Sequence, residues 1–132
     1  MTDSRPLPTP TELSAPFWDG CRQGVLRVQQ CRRCQALVFV PRPMCPTCQH
    51  TSLDWTDSGG KGSVYSFTVV HRPPRPAFAV PFVVAIIELD EGWYLLSNVI
   101  GCDPDAVHIG MTVEVAFTDM DETITLPLFR PV

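Results

Sequence analysis

The sequence predicts a mainly β protein: an extended amino-terminal arm and short helix, a small metal-bound ribbon, and a carboxy-terminal five-stranded barrel of the OB-fold type. Three observations predict it. Four of the six cysteines form two C-x-x-C pairs, Cys31/Cys34 and Cys45/Cys48, inside an 18-residue window. Five short runs rich in β-branched and aromatic residues follow between Val64 and Phe129, separated by glycine, proline and acidic turns. Helix signals gather in one place, between Ser14 and Gly24.

At 132 residues and 45% hydrophobic, the chain suits one ordinary domain or two very small ones, and it can bury a core. No apolar run approaches the roughly 18 to 20 residues of a membrane span, and the first residues, MTDSRPLPTPTE, contain no apolar signal-peptide core. The expectation is a soluble cytoplasmic protein. Fourteen prolines, roughly twice the usual share of about 5%, predict abundant loops and extended segments. The net charge of −4 conceals a split: residues 1–76 carry a net +4 and residues 77–132 a net −8. Nine of the ten basic residues are arginine, whose planar, bidentate head suits carboxylates and phosphates.

Residues 1–12 show no hydrophobic period and read as an extended arm. Ser14 is a candidate N-cap, Pro16 falls in the first turn where its missing N–H costs nothing, and Gly20 or Gly24 ends the helix. Phe17, Trp18 and Cys21 then share much of one face. They cover either the protein's own core or a second chain. From Val25 to Trp55 the pattern is strand, knuckle, strand, knuckle, strand. Residues 56–63, TDSGGKGS, read as a glycine-rich linker, so the predicted units are an arm and docking helix over 1–24, a ribbon over 25–60 and the barrel over 61–132.

Within the barrel region Val64–Val70 opens as a strand, and HRPPRPAFAVP interrupts as a proline-rich loop that no central strand tolerates. Phe82–Leu89 and Trp93–Ile100 form a hairpin across Asp90-Glu91-Gly92, with glycine where a positive φ is expected. Thr112–Phe117 and Thr123–Phe129 complete five strands, and a small Greek-key barrel is their natural closure.

The cysteine spacing, C-x2-C-x10-C-x2-C, lets each pair grip one ion from a tight knuckle while the hairpin between them closes the cage. Cys31, Cys34, Cys45 and Cys48 are therefore the predicted ligands of a structural zinc in a rubredoxin-like ribbon, and iron is the competing metal. Four thiolates fill the tetrahedron and leave no open position for water or substrate. They also leave about two excess negative charges on a divalent ion, which Arg32, Arg33 and Arg42 are placed in sequence to offset. Cys21 reads as a small apolar helix residue, and Cys102 lies in a turn.

The ribbon followed by YSFTVVHRPP, VVAIIELDEG, NVIGCDP and IGMTVEV resembles the zinc-ribbon plus OB-fold proteins of the domain of unknown function 35 family, from about Pro16 to Arg130. That resemblance implies an association with acyl-CoA metabolism. It further implies a non-catalytic partner for thiolase-like enzymes, including lipid-transfer-protein-type aldolases of steroid side-chain degradation. On the same basis the four cysteines match the ribbon ligands, and Tyr65, His71 and Asn98 fall in segments suited to an acyl-CoA passage.

Independent catalysis would need a nucleophile with a base, a pocketed carboxylate pair or an open metal site, and the sequence carries no motif for any of these. His50, His71 and His108 lie far apart, and Asp90, Glu91, Asp119, Asp121 and Glu122 sit where turns need them. The leading reading is an accessory subunit of a hetero-oligomer that docks through Phe17, Trp18 and the proline-stiffened loop at Arg72. The alternative, a nucleic-acid-binding ribbon and barrel, meets four basic against nine acidic residues over 61–132, a balance that repels phosphate. A third reading, electron transfer, requires iron.

Overall fold

The computed structural model describes residues 6–74, 76 and 78–132; the first five residues of the predicted arm and Arg75 and Ala77 of the proline-rich loop lie outside them. Helix α1 (Ala15–Gln23) carries Pro16 in its first turn and stops at Gly24, which adopts φ 79° and donates its N–H to Cys21 O at 3.1 Å. Ser14 occupies the N-cap position without capping: its hydroxyl accepts from Thr11 N at 2.9 Å and closes a turn ahead of the helix instead. Gly20 is required by packing, because a β-carbon there would lie 2.7 Å from Val25 O. The buried face presents Phe17 and Cys21, and burial pushes the Cys21 thiol up to about 12, in keeping with an inert apolar residue.

Strand β1 (Leu26–Cys31) lies at the centre of an antiparallel three-stranded sheet, between β2 (Leu37–Val38) and β3 (Leu53–Ser58). Five further strands close a barrel: β4 (Lys61–Val70), β5 (Phe82–Leu89), β6 (Tyr94–Val99), β7 (Thr112–Asp119) and β8 (Thr125–Pro131), in the order β4-β5-β6-β8-β7. Every neighbouring pair is antiparallel except β6 and β8, which meet in parallel at Val99 and Phe129. Closure leaves the barrel without a free sheet edge. The β5–β6 turn places Gly92 at φ 98°, and the proline-rich segment after β4 forms no strand among the described residues.

The predicted linker over 56–63 is not one. β3 runs through Ser58 and β4 begins at Lys61, so only Gly59 and Gly60 lie between strands. Glycine serves close approach there: Gly60 sits at φ 73° against Val115, and its carbonyl accepts from Val115 N at 2.7 Å. A carboxylate locks the joint. Glu91 accepts from the Ser58 hydroxyl and from Gly59 N at 3.0 Å, while Trp93 Nε1 donates to Ser58 Oγ at 3.2 Å.

Phe17, Cys21, Leu26 and Val28 join Val64, Ile87, Trp93 and Phe129 in one buried cluster, so helix, ribbon strand and barrel share a core. Burying a side chain of this size stabilises by about 1.5–3 kcal/mol. A smaller cluster of Cys31, Val38 and Cys45 lies in the ribbon alone. Among the described residues no helix is long and apolar enough to cross a membrane.

Candidate metal centre and apolar groove

The two cysteine pairs fold identically. Cys31 N donates to Ala36 O at 2.9 Å and Cys31 O accepts from Gln35 N at 3.0 Å; Cys45 N donates to His50 O and Cys45 O accepts from Gln49 N, both at 2.9 Å. Each knuckle turns on a glutamine at φ 66°, Gln35 in one and Gln49 in the other. Sequence reasoning missed these two residues, although the repeated CxxCQ string was the available signal. The four sulfurs lie within 4.8 Å of one another, with Cys31 and Cys48 at 3.5 Å and Cys34 and Cys45 at 3.6 Å. A tetrahedral zinc with bonds of about 2.3 Å needs sulfurs about 3.8 Å apart, so the cage fits.

Local electrostatics favour a cation. The Cys48 N–H, followed by that of Thr47, draws the Cys45 thiol down to about 6, and the N–H groups of Cys34 and Arg33 lower Cys31 in the same way. Cys34 goes the other way: Ala36 N–H lowers it, but burial and the three neighbouring thiols together push it up to about 12. Four thiolates at this spacing need a bound positive ion, and zinc supplies that charge and the cross-link. Arg32 does not serve the cage as expected; its Nε pairs with Asp54 Oδ2 at 2.7 Å and holds that carboxyl below its ordinary range. His50 stays out of the cage, its Nδ1 accepting from Ser52 N at 3.1 Å.

A second feature opens where helix, ribbon and barrel meet. A groove of about 450 Å³ is lined by Trp18, Phe39, Val40, Leu96, Asn98 and Pro127, among other side chains, all of them uncharged. Aromatic contacts frame it: Phe17 meets Trp18 edge-on at 5.0 Å, and Phe39 lies 5.2 Å from both Phe17 and Trp93. On the adjoining barrel face Tyr65 packs against Tyr94 at 5.1 Å, and Ile86 lies opposite Leu96, which is 67% exposed. The register slips between Val64 and Ser66, a bulge that turns Tyr65 outward.

The candidates from the sequence divide accordingly. Phe17 is buried in the common core with its ring at the groove floor, whereas Trp18 is half-buried and faces the opening. Asn98 lines the groove and donates from Nδ2 to Val83 O at 2.8 Å, and Tyr65 reaches its rim through Tyr94. His71 and Arg72 are exposed on the loop after β4 and do not line the groove.

A closed sulfur cage on a ribbon, fused through one core to an OB barrel with an open apolar face, defines a zinc-ribbon OB-fold protein. Residues 18–54 match the family model described as "ChsH2, rubredoxin-like zinc ribbon domain", and residues 55–118 match "ChsH2, C-terminal OB-fold domain". The chain belongs to the DUF35 family. It is 38% identical over 95 residues to a DUF35 domain-containing scaffold protein of Methanocaldococcus jannaschii, covering 70% of this chain and 67% of that protein. It is 35% identical over 120 residues, 91% of this chain, to the 3-oxo-4,17-pregnadiene-20-carboxyl-CoA hydratase alpha subunit of Mycobacterium tuberculosis, and covers 38% of that subunit. The chain spans about two fifths of the length of the hydratase alpha subunits it matches. Among solved structures, a chain of the Ltp2-ChsH2(DUF35) aldolase superposes with a TM-score of 0.87 at 40% identity, over 95% of this chain and 98% of that one.

Proposed function

We propose that this chain is a non-catalytic accessory subunit of a thiolase-like enzyme of the lipid-transfer-protein aldolase type, and that it helps form that enzyme's acyl-CoA site in steroid side-chain degradation. The likeness to the aldolase-associated chain along nearly its whole length carries the reading. The chemistry agrees with it. A cage of four sulfurs offers no open coordination site, and three of the turn carboxylates are spent on structure: Glu91 on Ser58 and Gly59, Asp121 on Thr123 and Ile124, Asp103 on Asp105. An uncharged groove continuous with exposed Tyr94 and Leu96 suits burial against another polypeptide. In this reading Trp18, with Phe17 behind it, and Arg72 meet the partner, while Tyr65, His71 and Asn98 border the acyl passage. A cytoplasmic setting, where thiols stay reduced, suits the cage.

Co-expression with an Ltp2-type aldolase chain tests the proposal. A stable complex on gel filtration is expected, together with cleavage of a β-hydroxyacyl-CoA that depends on this chain. Full cleavage by the aldolase chain alone, with no complex formed, would overturn it.

A further inference from the structure

The groove has three walls, and the third belongs to the metal ribbon. α1 and the β6–β8 pair supply two; Phe39, Val40 and Pro41, from the loop between the two cysteine knuckles, supply the other. This segment runs on beyond the two-residue strand β2 without ladder partners of its own. Three other devices hold it. The chain on either side is anchored in the cage, at Cys34 and at Cys45. The Phe39 ring sits between Phe17 and Trp93. The third device is Gln29 on β1, only 4% exposed, which spends both ends of its carboxamide on one backbone residue: Nε2 donates to Arg42 O at 3.0 Å and Oε1 accepts from Arg42 N at 2.7 Å.

That bracket does for the loop what a strand partner would do. It satisfies a buried amide and a backbone N–H and C=O in one contact, and it sets the loop's height above β1. Gln29 stands two residues before the ligand Cys31, on the strand whose Leu26 and Val28 pack in the common core. One strand therefore touches the cage, the bracket and the core. Val40 is 61% exposed and lines the groove on the ribbon side.

We propose that Gln29 is a positioning residue that couples the sulfur cage to the docking groove: metal at the four cysteines, acting through the Gln29–Arg42 bracket, holds the Phe39–Pro41 wall in the shape that receives the partner. Docking is thereby conditional on metal loading. The inference rests on the accessory-subunit reading above for the identity of what docks. The coupling itself is a property of this chain alone.

Gln29→Met keeps the side-chain volume and removes both hydrogen bonds. In the zinc-loaded chain it is expected to retain one zinc per chain, to raise hydrogen exchange over residues 39–44 at least tenfold while barrel amides stay protected, and to weaken binding to the Ltp2-type aldolase chain at least tenfold. Gln29→Glu, which still accepts from Arg42 N but sets a buried carboxylate oxygen against Arg42 O, is expected to loosen the same segment. A merely structural glutamine would release zinc or lower barrel protection in step. If Gln29→Met does not fold, Gln29→Glu decides alone: loosening over residues 39–44 with zinc retained and weakened binding supports the coupling, and wild-type exchange and affinity overturn it. Wild-type exchange and affinity in zinc-loaded Gln29→Met likewise overturn it. Failure of the unaltered chain to bind the aldolase chain defeats the docking reading instead, and is distinguishable because the exchange measurement needs no partner.

Discussion

The ribbon and the barrel solve the same problem by opposite means. The barrel closes five strands on themselves and buries Val64, Ile87, Val113 and Phe129 to 1% exposure or less. The ribbon has three strands, one of only two residues, and a private core of Cys31, Val38 and Cys45. So few apolar groups cannot offset the ordering of about 30 residues, each costing about 1–2 kcal/mol of backbone entropy. Its order comes from the cage at one end and from Leu26 and Val28, lent to the barrel's core, at the other. A small module can thus be rigid where its chemistry is covalent or coordinated and dependent everywhere else.

Breaking the cage should separate the two halves most sharply. Structural zinc contributes on the order of 10 kcal/mol or more to modules of this kind. Cys45→Ser is expected to abolish stoichiometric zinc and leave the ribbon unfolded or the chain insoluble, while in any soluble fraction barrel amides keep more protection than ribbon amides but less than in the wild type, because the core is shared. Zinc analysis with hydrogen exchange checks this, and soluble protein with one tightly held zinc per chain would contradict it. Next in size is Phe17→Ala, which removes a ring packed between Trp18 and Phe39 and should cost about 3–5 kcal/mol. Because the core is shared, the loss should appear in a single urea transition sensed by both halves. Two separated transitions would show that the ribbon and barrel are energetically independent.

How much of this was legible beforehand follows the same division. The knuckles were readable because metal coordination dictates both residue type and spacing, and the five barrel strands because β-branched runs alternate with turns. Gly92 was readable as well, since a tight hairpin demands its φ. What stayed hidden depends on approach between segments distant in the chain. Gly59 and Gly60 looked like slack and are a tight joint, because Val115 and Glu91 close on them from later strands. Gln29 looks like any polar residue in a strand until Arg42 folds over it. The groove draws on residues 14 to 128, so no local pattern announces it. Proximity in sequence points Arg32 at the cage, but the register of β1 and β3 brings Asp54 within its reach.

The comparison sharpens at the surface. Leu96 is 67% exposed on the barrel yet lines the groove shared with the ribbon, so Leu96→Asp should change stability by less than about 0.5 kcal/mol. Its effect on docking should be larger, about 2 kcal/mol or a thirtyfold loss of affinity, if the face is a binding centre. Titration calorimetry against an Ltp2-type aldolase chain, alongside a melting curve, separates the two effects. An unchanged affinity would remove this face from the interface.

The smallest effect belongs to the joint. Partial burial works to raise the Glu91 carboxyl, but hydrogen bonds from the Ser58 hydroxyl, the N–H groups of Gly59 and Glu91 itself, and Trp93 outweigh it and hold the group below its ordinary range. A carboxylate whose folded value is depressed contributes stability that is fully present above its unfolded value and is lost as pH falls through the folded one. The wild-type chain should therefore lose part of its stability as the pH falls below the ordinary glutamate range, with the loss complete only once the folded carboxyl itself protonates. Glu91→Gln keeps one acceptor oxygen and removes the charge, so it should cost about 1 kcal/mol or less near pH 7 and nothing further in that acidic window. Urea midpoints for the two proteins, followed from pH 7 down through the acid range, provide the measurement. A difference between them that persists undiminished to the lowest pH at which both still fold would mean that the ionised carboxylate does not lock the ribbon to the barrel.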